Sequence, residues 1–255
     1  MLLLMAMKSV KYKTIGVLGG MGPAASWYFE KVLMDLNTAA VVDQDYPTVI
    51  HFSNSQIPGR IDALLGKGIS PVSEIISSFE KLRVMGADFG VMICNTAHIY
   101  WEEILKGTTL PLLHLPVETG VALSSTHPKL KKILLLATKQ TIEFGIYREP
   151  LINNGIEIIL PDQEGQSIVS EAIFNLSYGI KATRTRVSEK AKADLRSVVE
   201  EVAKTKEIDC ALCGCTEISM ALGQEPIGEI KVIDALHLLA RKCLSEAGVE
   251  SIEAD

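Results

Sequence analysis

Short apolar runs, suited to buried strands, alternate along this chain with segments whose apolar residues recur at helical spacing. Thr14-Ile-Gly-Val-Leu18 reads as a strand, Gly19-Gly-Met-Gly22 as a turn, and Pro23 opens a helix to about Asn37. Proline suits that place, because the N–H it lacks has no partner in a first helical turn. Pro47–Phe52 is the next strand. Ser70 and Pro71 supply an N-cap and first position for a helix that places Val72, Ile75, Ile76, Phe79 and Leu82 on one face before Gly86 stops it. Phe89–Ile93 and Leu112–Leu115 are further strands, and Thr96–Leu105 between them has helical spacing.

The second half repeats this logic. Strands are expected at Lys131–Ala137, Ile156–Leu160, Ile208–Leu212 and Val232-Ile233. Helices are expected over Thr138–Asn153, Gln166–Tyr178, Val187–Thr205 and from Asp234 to about Glu246. Alternation of this kind means parallel sheets flanked by helices. About eight strands make either one sheet or two four-stranded ones. The break near Leu115-Pro-Val-Glu118 marks a candidate boundary, with a return to the first domain expected after Gly223.

Composition narrows the field. The chain has 255 residues, 47% of them hydrophobic and 22% charged, as in an ordinary globular protein with a full core. A formal net charge of −6 and the lack of a Lys/Arg stripe argue against a nucleic-acid partner. No run approaches the ~18 apolar residues of a membrane span. In the opening MLLLMAMKSVKYK the apolar stretch precedes the positive charges, the reverse of a secretion signal. A strand extension, a ragged terminus or an early start with Met5 or Met7 as alternatives fits better. The expected compartment is the cytoplasm, where the five cysteines (94, 210, 213, 215, 243) stay reduced.

Two of those cysteines share a setting. MICNTAH (92–98) and LCGCTEIS (212–219) each run from an apolar strand through Cys to a polar residue and a helix. A thiol there meets free backbone N–H groups and the positive end of the helix dipole. Ligands also bind at the carboxyl ends of parallel strands. Cys94 and Cys215, one from each half, are therefore candidates to face each other across a cleft. Cys210, Cys213 and Cys243 lack that context and read as packing residues. A zinc site through Cys210-x-x-Cys213-x-Cys215 lacks a second ligand pair, so no metal is expected. Gly20-Met-Gly-Pro-Ala-Ala25 fits a dinucleotide pattern, but Pro23 removes an anion-binding donor and Phe52-Ser-Asn-Ser55 lacks the expected acid.

GGMGP (19–23), MICNTAH (92–98) and GCTEI (214–218) together resemble the aspartate/glutamate racemase family, close to its aspartate racemase branch, from about Thr14 to Asp234. The resemblance implies two similar α/β domains, each a mainly parallel four-stranded sheet, with an interdomain cleft and no cofactor. The first domain would comprise 1–116 and 223–255 and carry Cys94; the second, 117–222, would carry Cys215. It further implies Cys94 and Cys215 as the catalytic pair, and Arg60 of QIPGR and Lys181 of YGIKATR as ligands for the substrate's distal carboxylate. Asn95, Thr96 and Thr216 match polar residues beside the cysteines, with His98 and Glu217 behind them. Met21 and Thr138 complete the candidate substrate-binding set. The implied activity interconverts L- and D-aspartate, or glutamate or a broader range of amino acids, in a homodimer. A related cysteine enzyme such as a maleate isomerase or arylmalonate decarboxylase, or a non-catalytic binder of acidic amino acids, remains open on the sequence.

Overall fold

The computed structural model describes residues 12–250, so expectations placed on the MLLLMAM stretch fall outside the described residues. Strand β1 (Ile15–Gly19) is buried along its whole length, as a central parallel strand must be. It is followed by α1 (Pro23–Leu36), β2 (Val49–Ser53), α2 (Arg60–Leu64), α3 (Val72–Val84), β3 (Phe89–Met92), α4 (Trp101–Lys106), β4 (Leu112–Leu113) and α5 (Leu115–Thr126). All pairings are parallel, and the sheet order is β2-β1-β3-β4.

The chain then forms β5 (Lys132–Leu136), α6 (Lys139–Glu143), α7 (Arg148–Ile152), β6 (Glu157–Ile159), α8 (Gln163–Phe174), α9 (Ile180–Thr183), α10 (Glu189–Thr205), β7 (Cys210–Cys213), α11 (Thr216–Leu222), β8 (Lys231–Asp234) and α12 (Ala235–Ala247). The second sheet has the order β6-β5-β7-β8, again all parallel, so the two halves share one topology.

Three expectations need correction. The chain does not return to the first domain at Gly223: Lys231–Asp234 pairs with Cys210–Cys213 in the second sheet. Thr138–Asn153 is two short helices, parted around Gly145 with its φ of +65°. Leu115-Pro-Val-Glu118, expected as a break, is the first turn of the helix Leu115–Thr126; Pro116 sits in that turn, and the His114 side chain caps the Val117 N–H. No helix among the described residues is long and apolar enough to cross a membrane.

Strand alternation sorts the core into three layers. Ile15, Val17 and Val91 of the first sheet and Ile133, Leu135 and Leu212 of the second belong to one continuous cluster with α1, α5 and α12. Leu18 and Met92 point the other way, onto Phe79 and Leu82 of α3. Leu134, Leu136 and Ala211 face Val169 of α8 and Leu195 of α10. The middle layer is shared, so the two sheets are packed to one another rather than strung on a linker.

Candidate active site

In each sheet the chain leaves the central strand first to one side and then to the other. That reversal opens a crevice at the carboxyl ends of β1 and β3, and of β5 and β7. Cys94 and Cys215 lie at those ends. Equivalent hydrogen bonds set both places: Ile93 N–H donates to Leu18 O (3.0 Å) and Gly214 N–H to Leu136 O (2.8 Å).

The glycine turn after β1 is shaped by contact. Gly20 has φ +93°, and a Cβ there would lie 2.3 Å from the Asn54 backbone carbon. Ser26 Oγ accepts from Gly20 N–H at 3.1 Å and donates to Gly22 O at 3.0 Å. The turn exposes the Met21 carbonyl, which accepts from Arg60 Nη2 at 3.0 Å; Nη1 donates to Pro58 O at 3.2 Å. Arg60 Nε is buried with no partner.

Cys94 is buried, and a 3₁₀ turn over Thr96–Tyr100 follows it rather than the regular helix expected. His98 Nδ1–H donates to Cys94 O at 2.8 Å, while its Nε2 accepts from Leu115 N–H at 3.3 Å. Accepting at Nε2 requires a neutral ring. Burial, and then the neighbouring His114, push the His98 pKa down to about 3. His98 thus ties the cysteine turn to the start of α5. Asn95 Oδ1 accepts from the buried Tyr147 hydroxyl, which leaves Nδ2 buried and unpartnered in the cavity wall. Thr96, Thr138 and Thr141 close a ring of hydroxyls at 3.0–3.2 Å that joins the two halves.

Cys215 is buried at the N-cap of α11. Its Sγ–H donates to Glu217 Oε2 at 3.2 Å, and Thr216 Oγ1 donates to the same oxygen at 3.0 Å. Lys181 Nζ pairs with the other oxygen, Oε1. A cavity of about 530 Å³ is lined by Met21, Arg60, Cys94, Asn95, Thr96, Thr138, Lys181, Cys215, Thr216 and Glu217. Of the residues singled out in the sequence, His98 alone is behind that wall. Tyr147 and Thr141 went unnoticed; a buried tyrosine that needs a hydroxyl partner was the available signal for the first. Among the described residues no group of three or more His, Cys, Asp or Glu is placed to hold a metal ion.

The Asp/Glu/hydantoin racemase family model matches residues 18–243, from the end of β1 into α12. The chain belongs to this racemase family. It is 32% identical over 234 residues to the broad-specificity amino-acid racemase RacX of Bacillus subtilis, covering 91% of this chain and 96% of that protein. The structure of Picrophilus torridus aspartate racemase superposes with a TM-score of 0.80 at 30% identity, covering 95% of this chain and 96% of that one. An aspartate racemase homologue from Pyrococcus horikoshii shares the fold, with a TM-score of 0.70, 22% identity and coverage of 92% and 99%.

The two thiols differ in their surroundings. Burial, reinforced by the Glu217 charge, pushes the Cys215 thiol well above the usual range, and Lys181 offsets only part of that. Burial also disfavours the Glu217 anion, yet Lys181 and hydrogen bonds from Lys181, Cys215 and Thr216 hold its pKa below the ordinary carboxylate value. Burial lowers Lys181, and the Glu217 pair more than restores it. The resting arrangement is therefore a thiol, a carboxylate and an ammonium in a row. Cys94 is instead held through its backbone carbonyl by a neutral imidazole.

Proposed function

We propose that the protein is a cofactor-independent amino-acid racemase that interconverts L- and D-aspartate by two-base proton transfer between Cys94 and Cys215. One observation carries the reading: both thiols, from equivalent ends of two like-ordered sheets, line one cavity with Arg60 and Lys181. The α-proton of an amino acid is very weakly acidic, so a base must be matched by stabilisation of the developing carbanion. Inversion also needs a donor on the opposite face. One thiolate removes the proton, the other thiol returns one, and the roles exchange in the reverse direction. Asn95 Nδ2, buried and unpartnered, is suited to donate to the substrate's α-carboxylate as charge spreads into it, with Thr216 beside it. A donor of this kind is worth ~3 kcal/mol. Arg60 has no carboxylate partner among the described residues, which suits it to the distal carboxylate alongside Lys181.

The similarity to a broad-specificity racemase supports a second reading, with several amino acids accepted. Incubating a panel of L-amino acids in deuterated water separates the two. Aspartate should gain α-deuterium and become racemic fastest, with activity surviving EDTA and hydroxylamine. Cys94→Ser and Cys215→Ser should each abolish racemisation. Wild-type turnover in either variant, or no exchange on any amino acid, would overturn the assignment. The same reading takes the enzyme to be a cytoplasmic homodimer, which light scattering of the purified protein checks for assembly.

A further inference from the structure

We propose that Glu217 couples occupation of the distal-carboxylate subsite to deprotonation of Cys215, so that this thiol becomes a base only when an acidic substrate engages Lys181. The inference deepens the racemase reading and rests on it. Glu217 is bound at both ends of its carboxylate. Oε2 receives Cys215 Sγ–H and Thr216 Oγ1–H, and Oε1 receives Lys181. The two ion-pair partners are unequally exposed: the Glu217 side chain is 7% accessible, the Lys181 side chain 35%. Glu217 is fixed within α11, whose backbone closes on Cys215 through Ser219 N–H to Cys215 O at 3.1 Å. Lys181 comes from the four-residue α9 and reaches the cavity with a long side chain. An arriving carboxylate can therefore draw away the cation but not the anion.

The proton inventory closes without a further reactant. When a substrate carboxylate takes Lys181 as its partner, Cys215 and Glu217 both lose the support of that charge, but Glu217, which touches it directly, loses more and becomes the stronger base of the two relative to the resting state. The existing hydrogen bond is the path: the Cys215 S–H bond breaks and an O–H bond forms at Glu217 Oε2, giving a thiolate and a neutral carboxyl. The thiolate then takes the α-proton while Cys94 S–H delivers one to the opposite face. On product release Lys181 returns to Glu217, and the carboxyl proton passes through entering water to the Cys94 thiolate. The titratable or charged groups facing Cys215 are Glu217 from its own helix, Lys181 from α9, Cys94 across the cleft, and Cys213 and Tyr147 beneath. Gly22 of the first half closes over the pair; a Cβ there would lie 3.3 Å from Glu217 Oε1 and 3.6 Å from Lys181 Nζ.

The test is thiolate absorbance near 240 nm during a pH titration of Cys94→Ser, in which Cys215 is the remaining cleft thiol. The other three cysteines are fully buried, and burial pushes Cys210 up to about 12 and raises Cys213 and Cys243 well above the usual thiol range. Succinate is the probe, with its binding to the same sample followed by calorimetry. A dianion beside a thiol should raise the thiol's midpoint by charge alone. Relay through Glu217 predicts the opposite sign: succinate lowers the midpoint, increasing the thiolate fraction at a fixed pH by about tenfold, one pH unit. The response should vanish in Cys94→Ser/Glu217→Gln. In the otherwise wild-type enzyme, Glu217→Gln should lower kcat for aspartate about 10²-fold and move the pH profile, with Glu217→Asp recovering part of the rate. If succinate binds and the midpoint stays or rises, the inference is wrong, whether or not the Gln variant folds. Deuterium exchange on the unaltered enzyme is scored separately: exchange without a succinate response sinks the relay alone, whereas a response without exchange sinks the racemase reading.

Discussion

Tyr147→Phe removes one oxygen atom from a side chain that is 1% exposed, and it isolates the role of Asn95. The ring remains, so the apolar burial is kept and no cavity of consequence opens. What is lost is the donor to Asn95 Oδ1, together with the hydroxyl's hydrogen bond with Thr119. Burial pushes the tyrosine's ionisation upward, so it is a neutral donor throughout the working pH range. Leaving the buried Oδ1 unpaired should cost about 1–3 kcal/mol of stability. The kinetic effect has a separate origin. With Tyr147 present its donation to Oδ1 fixes the amide's orientation and leaves Nδ2 buried without a partner in a residue that lines the cavity. Without it, the reversed amide is no longer excluded, and that rotamer turns a carbonyl oxygen toward an incoming carboxylate. A fully effective donor is worth ~3 kcal/mol, and a loosened one forfeits part of it, so kcat/KM for aspartate should fall about 10- to 100-fold. The assay is α-deuterium incorporation followed by proton NMR, with a thermal melt on the same preparation. In a cycle with Asn95→Ala the two substitutions should be strongly non-additive, because both act through one amide. A variant with a lowered melting temperature and kcat/KM within about twofold of wild type would refute the reasoning, leaving Tyr147 as core and Asn95 as a spectator.

Two further outcomes follow from the charges. Arg60→Ala should lower kcat/KM for aspartate by about two orders of magnitude while changing α-exchange on alanine by less than about threefold, since only aspartate offers a distal carboxylate. Equal losses on both would make Arg60 a brace for the Met21 and Pro58 carbonyls and nothing more. Acid stability should depend on opposed titrations. His98 and His114, whose pKa values burial lowers to about 3 and about 4, take up protons only on unfolding as pH falls below about 6.5, so they destabilise the fold in that window. Asp234 is buried, and burial raises it to about 6, so it binds a proton in the folded state first and acts in the other direction between about pH 6 and pH 4. Asp234→Asn should therefore steepen the fall in melting temperature between pH 6 and pH 4; an unchanged or shallower slope would contradict the assignment.

Legibility along the chain tracked the range of the interaction responsible. Strands buried on both faces, such as Ile15–Gly19 and Phe89–Met92, carry their own signal as apolar runs, and the cysteines at their ends could be placed from sequence spacing. The site residues flanking those cysteines are adjacent in the chain and were found together. What escaped depends on contacts between segments far apart. Tyr147 meets Asn95 across 52 positions, and Thr141 meets Thr96 across 45. Leu115-Pro-Val-Glu118 reads as a break in the sequence because of Pro116, and only the His114 cap and the packing of Leu115 and Leu123 with α12 show it as a helix start. The fate of Lys231–Asp234 was equally non-local: a four-residue strand does not name its neighbour, and β7 is what claims it.

The two halves have one strand order, and each holds its cysteine by an equivalent hydrogen bond from the residue before it. On the proposed two-base mechanism, identical surroundings at both thiols would nevertheless suit inversion poorly, because at the moment of proton transfer one sulfur must be empty of a proton and the other full. The difference is supplied by the residues just downstream. Four positions after Cys94 stands a histidine that burial keeps neutral and that grips the cysteine's carbonyl, not its sulfur. Two positions after Cys215 stands a carboxylate that accepts from the sulfur itself and is in turn neutralised by a cation exposed to the cleft. On the proposed mechanism the repeated strand order supplies equivalent places for the two cysteines, and side chains at Cys+4 and Cys+2 make the surroundings of those places differ. On this argument, moving the carboxylate is the change that should invert the thiols' division of labour, whereas altering the strands that carry them should only loosen it.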